Sequence, residues 1–300
     1  MEKCNSFLRK KHKRKITTFD VVIIIVMVLL SFIMIYPFWY MFAISISHTK
    51  YVSSVILLPK KASFDVYRYI FSMPKVYMGY LNSLLYSFLG LAISMILTIL
   101  GAYGLAQKWL PGNRFLSIFV LITMYFSGGL IPTYLLINKL NMINTIWAMV
   151  IPGAISTYNL IITRTYFINS IPKEIVESAK IDGANDLQVL FKIYLPLSTP
   201  ILATVSLFYF VASWNSWFNA YMFLDNESMY PIQLVLREAL QGGGLETGLD
   251  PGQIALISER TSPKSLNYAL TVAVVAPIIV MFPFFQKFFV KGVIAGSIKG

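Results

Sequence analysis

Six long stretches without a charged residue constrain the fold of this 300-residue chain more than any other feature. Each has at least 22 residues, and they cover 21–47, 76–107, 115–138, 140–163, 193–224 and 265–286. A helix of about 20 apolar residues crosses the roughly 30 Å hydrocarbon core of a bilayer. Only 13% of the residues are charged, against about 25% in soluble domains. The sequence therefore predicts an all-α membrane protein with six transmembrane helices, because a soluble bundle would need helices with almost no polar face.

The Lys and Arg residues indicate how these six helices are oriented. Segment 1–18 contains seven of the 25 basic residues, and with six crossings both chain ends lie on one side of the membrane. That side then carries 16 of the 25, although its loops are shorter. Because basic residues beside short loops stay in the cytoplasm, we expect both termini and segment 168–197 to be cytoplasmic. The net charge of +12 is then a topology signal, and no nucleic-acid partner is expected.

The first charge-free stretch could instead belong to a secretory signal. It is longer than the apolar region of such signals, and it continues through an aromatic cluster at 36–40 that is typical of a membrane interface. We therefore expect a retained transmembrane helix. The single cysteine, Cys4, excludes an internal disulfide and a thiolate metal site.

The chain divides into a basic N-terminal segment (1–18), a six-helix domain (19–290) and a short tail (291–300). The core of the six-helix domain is expected at about 77–288. Its two notable loops are segment 168–197 on the cytoplasmic side and segment 224–264 on the outer side. The outer loop is predicted to hold a helix from Leu234 to Gln241, followed by three consecutive glycines.

We call segment 168–197 the corner segment, because its sequence predicts two short helices that meet at a fixed angle. Ser170 is predicted to cap the first helix, with Pro172 in its first turn. Gly183 supplies the left-handed conformation that ends a helix. Asn185 then begins a second helix, with Gln188 as its capping-box partner.

The second helix of the corner segment is predicted to be amphipathic and to stop or kink at Pro196. Its apolar residues have the helical spacing i, i+3, i+4, i+7 and comprise Leu187, Leu190, Phe191 and Tyr194. The pattern alone fits two interpretations. The helix pair either lies on lipid headgroups or docks in the groove of a partner protein.

The corner segment carries a spaced set of residues: Glu177, Ala179, Gly183, Ile193, Leu195 and Pro196. This spacing resembles the cytoplasmic coupling loop of permease subunits of type I ATP-binding-cassette (ABC) importers. The family pattern is Glu-x-Ala, then Gly four residues after the Ala, then an apolar residue and Leu-Pro. The resemblance implies that this loop docks on an ATPase. The residues it assigns to that contact are Glu177, Ser178, Ala179, Asp182, Gly183, Ala184, Leu195 and Pro196. Ser178 departs from the family, which most often has Ala there, but both residues are small.

Other segments resemble the carbohydrate branch of these importers, and the likeness covers most of the chain from about residue 20. Asn82-Ser83, Tyr103 and Trp214-Asn215 fit that branch, and 286–300 is similar to the tail of the second permease of maltose-type systems. The tail is therefore expected to reach between the ATPase subunits. Segment 230–237 resembles transporters of oligo- or polysaccharides from Gram-positive bacteria, which implies a multi-pass protein of the cell membrane.

The resemblance implies a complete set of partners. They are a second, homologous permease subunit, two cytoplasmic ABC ATPase subunits that hold ATP and Mg, an extracellular solute-binding lipoprotein, a carbohydrate substrate and the lipid bilayer. In maltose-type importers the outer loop enters the sugar cleft of the binding protein. The residues assigned to that contact are Gln241, Gly242, Gly243, Gly244 and Glu246, and a plain solvated linker is the alternative.

The sequence carries no energy-coupling or catalytic site of its own. The predicted spans lack the charged residues that ion-driven carriers use, and no Gly-x4-Gly-Lys-[Ser/Thr] motif is present. The two histidines, His12 and His48, are poorly placed for an intramembrane enzyme. We therefore expect a transport subunit without a catalytic residue, metal or cofactor. A secondary carrier or channel for a small polar solute is the alternative.

Polar and aromatic residues within the spans are candidates for the substrate pathway, because sugars bind through hydrogen bonds and stacking. The candidates are Tyr86, Tyr158, Asn159, Trp214, Asn215 and Asn219. Asn215 and Asn219 are four residues apart and are expected to share one helical face, where exposure to lipid would be costly. Nearby aromatic residues such as Trp217 fit an interfacial belt equally well.

Overall fold

The computed structural model describes residues 17–47, 58–59, 61–241 and 263–297, and every regular element in these ranges is helical. The first half comprises α1 (Thr18–Ser45), α2 (Asp65–Ser72), α3 (Pro74–Ala106), α4 (Asn113–Tyr125), α5 (Leu130–Lys139), α6 (Ile146–Val150) and α7 (Thr157–Ser170). The second half comprises α8 (Lys173–Ile181), α9 (Asp186–Val189), a π-helical turn (Leu190–Tyr194), α10 (Leu195–Leu197), α11 (Thr199–Trp214), α12 (Trp217–Phe223), a 3-10 turn (Glu227–Met229), α13 (Ile232–Leu240) and α14 (Pro263–Ser297).

Three helices of the described chain are long and apolar enough to cross a bilayer without a break. They are α1, α3 and the Lys264–Phe284 part of α14. Two bent helix pairs bring the number to five if each pair counts as one span: α4 with α5, and Asp186–Leu197 with α11. The all-helical fold is therefore confirmed, and the count of six spans stays a prediction.

Three of the predicted spans are interrupted, so the charge-free stretches 115–138, 140–163 and 193–224 do not form the expected continuous helices. The first bends by 113° between α4 and α5, where Gly129 has φ +84°. The second breaks between α6 and α7, where Gly153 has φ +91°. The third stops at Trp214 and restarts at Trp217. Composition reports only that a stretch is apolar, whereas glycine at positive φ turns the backbone out of the helix.

The main core lies where α2, α3, α11, α13 and α14 meet. Its largest side chain is Trp214, which is 0% exposed. Phe210 stacks on it with ring centroids 6.1 Å apart, and the Trp214 indole N–H donates to the Val274 carbonyl at 3.2 Å. Around them pack the buried residues Val66, Ile70, Met73, Val76, Ile232, Val235, Ala239, Leu266, Ala269 and Leu270.

Helix α1 packs on the rest of the fold only through its C-terminal part. Ala43 and Ile44 are buried, and Tyr40 meets Tyr268 of α14 edge to face. Almost all of the helix before residue 39 is exposed, and nearly every exposed side chain is a large apolar one. A soluble protein would not leave such a surface uncovered, so α1 is suited to contact lipid or another membrane subunit.

Candidate functional site

The first helix of the corner segment ends in a glycine cap, as the sequence predicts. Gly183 has φ +84°, and its N–H donates to the Lys180 carbonyl at 3.1 Å. The N–H of Ala184 donates to the Ala179 carbonyl at 2.9 Å. These two bonds form a Schellman motif, which satisfies carbonyls that the helix end leaves free. The chain therefore leaves α8 in one defined direction.

The second helix of the corner segment begins with the predicted capping box. The Gln188 N–H donates to the Asn185 side chain at 2.8 Å, and the Asn185 N–H donates to the Gln188 side chain at 3.0 Å. An ion pair between Lys180 and Asp186, 3.2 Å long, joins the two helices across the corner. Both sides of Gly183 are thus fixed by local hydrogen bonds.

Two details of the corner segment differ from the prediction. Ser170 does not cap α8, because α7 continues through Ser170 and Pro172 occupies the cap position of α8 without a side-chain bond. The predicted apolar stripe of the second helix is also only half buried. Leu190 and Tyr194 pack inward, while Leu187 and Phe191 are exposed.

The corner segment is anchored to one end of α3, which we call the corner end. The Tyr194 ring lies edge-on between Tyr103 and Phe167, with centroid distances of 5.0 and 5.2 Å. The Tyr103 hydroxyl donates to the Asp186 carbonyl at 3.2 Å. The surrounding cluster also buries Ala102, Ile171, Val189 and Leu190. The corner is therefore held against α3 and α7 by packing and hydrogen bonds.

The residues that the resemblance assigns to the ATPase contact divide into two groups. Ala179, Ala184 and Leu195 are half-buried and pack against the anchoring cluster. The exposed group comprises Glu177, Ser178, Asp182, Gly183 and Pro196. Ile181, next to this exposed group, is 87% exposed. The exposed tip of the corner is therefore apolar at Ile181, with Glu177 and Asp182 beside it. The half-buried group attaches the corner to the core.

The corner segment leads directly into α11. The helical stretch Asp186–Leu197 and α11 meet at Ser198 with a bend of 84°. Pro196, two residues earlier, lacks the N–H that a continuous helix would use. The predicted kink is confirmed, and it makes the corner a short arm attached to α11.

A polar cavity lies at the other end of α11, between the two interruptions near residues 152 and 215. Its volume is about 180 Å³. Its polar lining comes from Ser94, Tyr209, Ser213, Ser216 and Asn219, and its other lining residues are Gly90, Met149, Val150, Pro152, Gly153 and Ala212. No charged side chain is among them.

Only one of the six predicted pathway residues, Asn219, lines this cavity. Tyr86 is buried and donates to the Met229 carbonyl at 2.8 Å, and Trp214 belongs to the main core. Asn215 is exposed and accepts a hydrogen bond from Gln233 at 3.0 Å. Tyr158 is exposed and Asn159 is buried, so the structure does not gather the six around one space.

The expectation that Asn215 and Asn219 share a helical face was wrong. The helix ends before Asn215, and α12 begins at Trp217. Ser94 and Ser213 line the cavity but were not predicted. The available signal was the pair Gly90 and Ser94, small residues four positions apart and so on one face of α3.

Similarity to known proteins identifies the family of this chain. The family described as "Binding-protein-dependent transport system inner membrane component" matches residues 7–295. The chain belongs to this family. It is an ABC importer permease, a transport subunit rather than an enzyme, and a membrane protein, as the sequence predicts.

Similar proteins cover nearly the whole permease. The polygalacturonan/rhamnogalacturonan transport system permease protein YtcP of Bacillus subtilis is 40% identical, over 94% of this chain and 98% of YtcP. Protein LplC of the same organism is 37% identical, over 94% of this chain and 95% of LplC. A crystal structure of a bacterial ABC transporter involved in the import of the acidic polysaccharide alginate contains a chain that is 30% identical, with a TM-score of 0.83. That alignment covers 93% of the permease and 99% of the solved chain.

Segment 226–240 packs against the N-terminal half of α3, at the end of the permease opposite the corner. The Asn82 side chain donates to the Ser228 carbonyl at 2.7 Å, and the Ile232 N–H donates to the Ser83 hydroxyl at 2.9 Å. Lys75 forms ion pairs with Glu227 at 3.1 Å and with Glu238 at 2.9 Å.

Helix α13 confirms the helix predicted from Leu234 to Gln241, with bounds Ile232–Leu240. Gln241 is exposed at its end. The other residues assigned to the binding-protein contact, Gly242, Gly243, Gly244 and Glu246, lie outside the described residues. In the described ranges, no group of three His, Cys, Asp or Glu residues is placed to hold a metal ion.

Proposed function

We propose that this chain is one of two permease subunits of an ABC importer for oligosaccharides derived from acidic polysaccharides. The observation that carries the transport mechanism is the corner segment, a locally fixed arm that joins an exposed tip to α11. The substrate class is supported by relatives that cover the chain over nearly its full length. YtcP is named for polygalacturonan and rhamnogalacturonan, and the solved transporter for alginate.

The proposed mechanism uses the corner as a rigid arm. An ATPase that binds the exposed tip around Glu177 and Ile181 moves the corner as a unit, because the capping hydrogen bonds of the corner fix its shape. The movement reaches α11 through the bend at Ser198. Helix α11 carries Tyr209 and Ser213, which line the polar cavity, so displacement at the tip changes the cavity.

We propose the following assembly around the permease. A second, homologous permease pairs with it, two cytoplasmic ATPase subunits supply ATP and Mg, and an extracellular lipoprotein delivers the sugar. Both termini and the corner segment are cytoplasmic, and the cell is a Gram-positive bacterium. The relatives from Bacillus subtilis support the Gram-positive origin. The tail 291–300 is assigned to contact with the ATPase subunits, and α14 carries its first part to Ser297.

Reconstitution of the complete importer in proteoliposomes tests this proposal. With ATP inside and loaded binding protein outside, we expect uptake of a labelled galacturonate trisaccharide, and no uptake with a non-hydrolysable ATP analogue. An ion gradient alone should not drive uptake. Uptake that follows a proton or sodium gradient without ATP would instead establish the secondary carrier.

Shortening the outer loop by removing 242–248 tests the contact with the binding protein. We expect normal assembly and basal ATP hydrolysis, because segment 226–240 and its bonds to α3 are untouched. Stimulation of hydrolysis by the loaded binding protein should fall at least about threefold, the effect of losing one to two hydrogen bonds. Wild-type stimulation in this variant would show that the segment is only a linker.

A further inference from the structure

The polar cavity occupies the middle of the permease rather than its surface ends. Gly90 lies at the midpoint of the 33-residue helix α3, and Ser94 lies one turn farther along. The cavity wall opposite them contains two interrupted helices, broken at Pro152-Gly153 and at Asn215-Ser216. In transporters, substrate sites near the middle of the membrane are typically built where helices are discontinuous, because the backbone there is free to line a cavity.

Two polar side chains at this cavity have no hydrogen-bond partner among the residues that the structure describes. Ser94 is only 4% exposed, and its hydroxyl makes no bond there. The Asn219 amide lines the same space without a partner in the described ranges. The other polar groups are satisfied: the Tyr209 hydroxyl accepts from the Ser156 N–H at 3.0 Å, and Ser213 donates to the Tyr86 carbonyl at 3.2 Å. Neither group is among the fully enclosed unpartnered atoms of the described chain, and both line the cavity, where a ligand or bound water can bond to them.

The chemistry of the lining selects the kind of ligand. A hydroxyl and an amide offer both donors and acceptors, and the Tyr209 ring with Met149 and Val150 supplies apolar surface. This combination matches a sugar ring, which carries hydroxyls at its rim and C–H groups on its faces. A carboxylate would enter without a cation to pair with it, and an unpaired buried charge is strongly unfavourable.

We propose that this cavity is a sugar subsite in which the permease binds one ring of the passing oligosaccharide through its hydroxyls. Ser94 and Asn219 hold the ring, and the uronate carboxylates are left to other parts of the complex. The volume of about 180 Å³ equals about six water molecules at roughly 30 Å³ each, which suits one ring rather than a longer chain. The proposal rests on the proposed function as an oligosaccharide importer.

Two substitutions and one matched control test the subsite in the reconstituted importer. Ser94→Ala and Asn219→Leu remove the two unpartnered groups. Ser87→Ala is the control, because Ser87 lies two turns earlier on α3, is fully buried and unpartnered in the described chain, and does not line the cavity. Uptake of the galacturonate trisaccharide should fall about three- to tenfold in each cavity variant and stay within about twofold in the control.

A second measurement separates substrate contact from a structural role. In a Cys4→Ser background, Asn219→Cys should react with a small hydrophilic thiol reagent, and turnover with ATP, binding protein and trisaccharide should slow the reaction at least about threefold. If ATP and binding protein slow the thiol reaction equally without trisaccharide, the slowing does not come from bound sugar. If uptake falls equally in the Ser87→Ala control, the cavity residues have only a structural role. If wild-type uptake works and both cavity variants match it, the subsite fails while the proposed function stands.

Discussion

Replacement of Gly183 by valine is expected to lower ATP-driven uptake by more than about tenfold while leaving the permease in the membrane in normal amount. A Cβ at this position would meet no atom within 4 Å, so the effect comes from the backbone alone. The positive φ of +84° costs an L-residue about 1–2 kcal/mol, and a β-branched residue is less tolerant still. A cost of about 1.4 kcal/mol lowers the equilibrium population of the native corner relative to alternative conformations about tenfold. We therefore expect the arm to lose its fixed direction.

Two further variants control this experiment. Gly183→Asn should retain most uptake, because asparagine tolerates the left-handed conformation better than other side chains. Gly104→Ala adds a methyl group into equally open space, but in helical backbone at the corner end of α3, and should stay within about twofold of wild type. Uptake, co-purification with the ATPase and membrane amount are measured together. Normal coupling in Gly183→Val would remove the corner from the mechanism.

The corner segment could be predicted from the sequence because its geometry is set by local bonds. The cap at Gly183 and the box between Asn185 and Gln188 each involve residues within five positions of one another. Such motifs depend little on the rest of the fold. The prediction that Ser170 caps α8 was wrong for the opposite reason, because local sequence does not decide it. A serine that can begin one helix can equally end the preceding one, and packing of α7 on α3 decides between them.

The interruptions of the spans could not be read from composition. A charge-free stretch looks the same whether it forms one helix or two, although Gly129 and Gly153 mark the places where the backbone turns. The break at Asn215 has no glycine or proline. It is accompanied by a hydrogen bond from Gln233 of α13, which comes from a distant part of the chain. Long-range partners of this kind also explain why most of the predicted pathway residues do not line the cavity.

Tyr86 illustrates the same limit. Its hydroxyl, read from sequence as a sugar contact, is used by the Met229 carbonyl across a separation of 143 residues. Ser94, which has no such partner in the described chain, was overlooked because serine is unremarkable in an apolar helix. Whether a polar residue in a span is available to a ligand depends on what the fold has already paired with it.

Trp214→Ala is expected to destabilise the permease by about 3–5 kcal/mol, the usual cost of removing a buried tryptophan. Trp214 is 0% exposed, stacks on Phe210 and bonds through its indole N–H to the Val274 carbonyl. It therefore joins α11 to α14 and fills the centre of the main core. Loss of the ring leaves a cavity where five helices meet, and we expect little folded protein and a much lower Tm of the purified complex.

Trp147→Ala provides the matched control, because Trp147 is 48% exposed and belongs to no buried cluster of the described residues. It should change the Tm of the complex little. Trp214→Phe keeps most of the ring and should lie between the two. A pathway role for Trp214 makes the opposite prediction: a folded complex with wild-type Tm and altered uptake. That result would show that the core contact is dispensable and would return Trp214 to the pathway, beside Asn219.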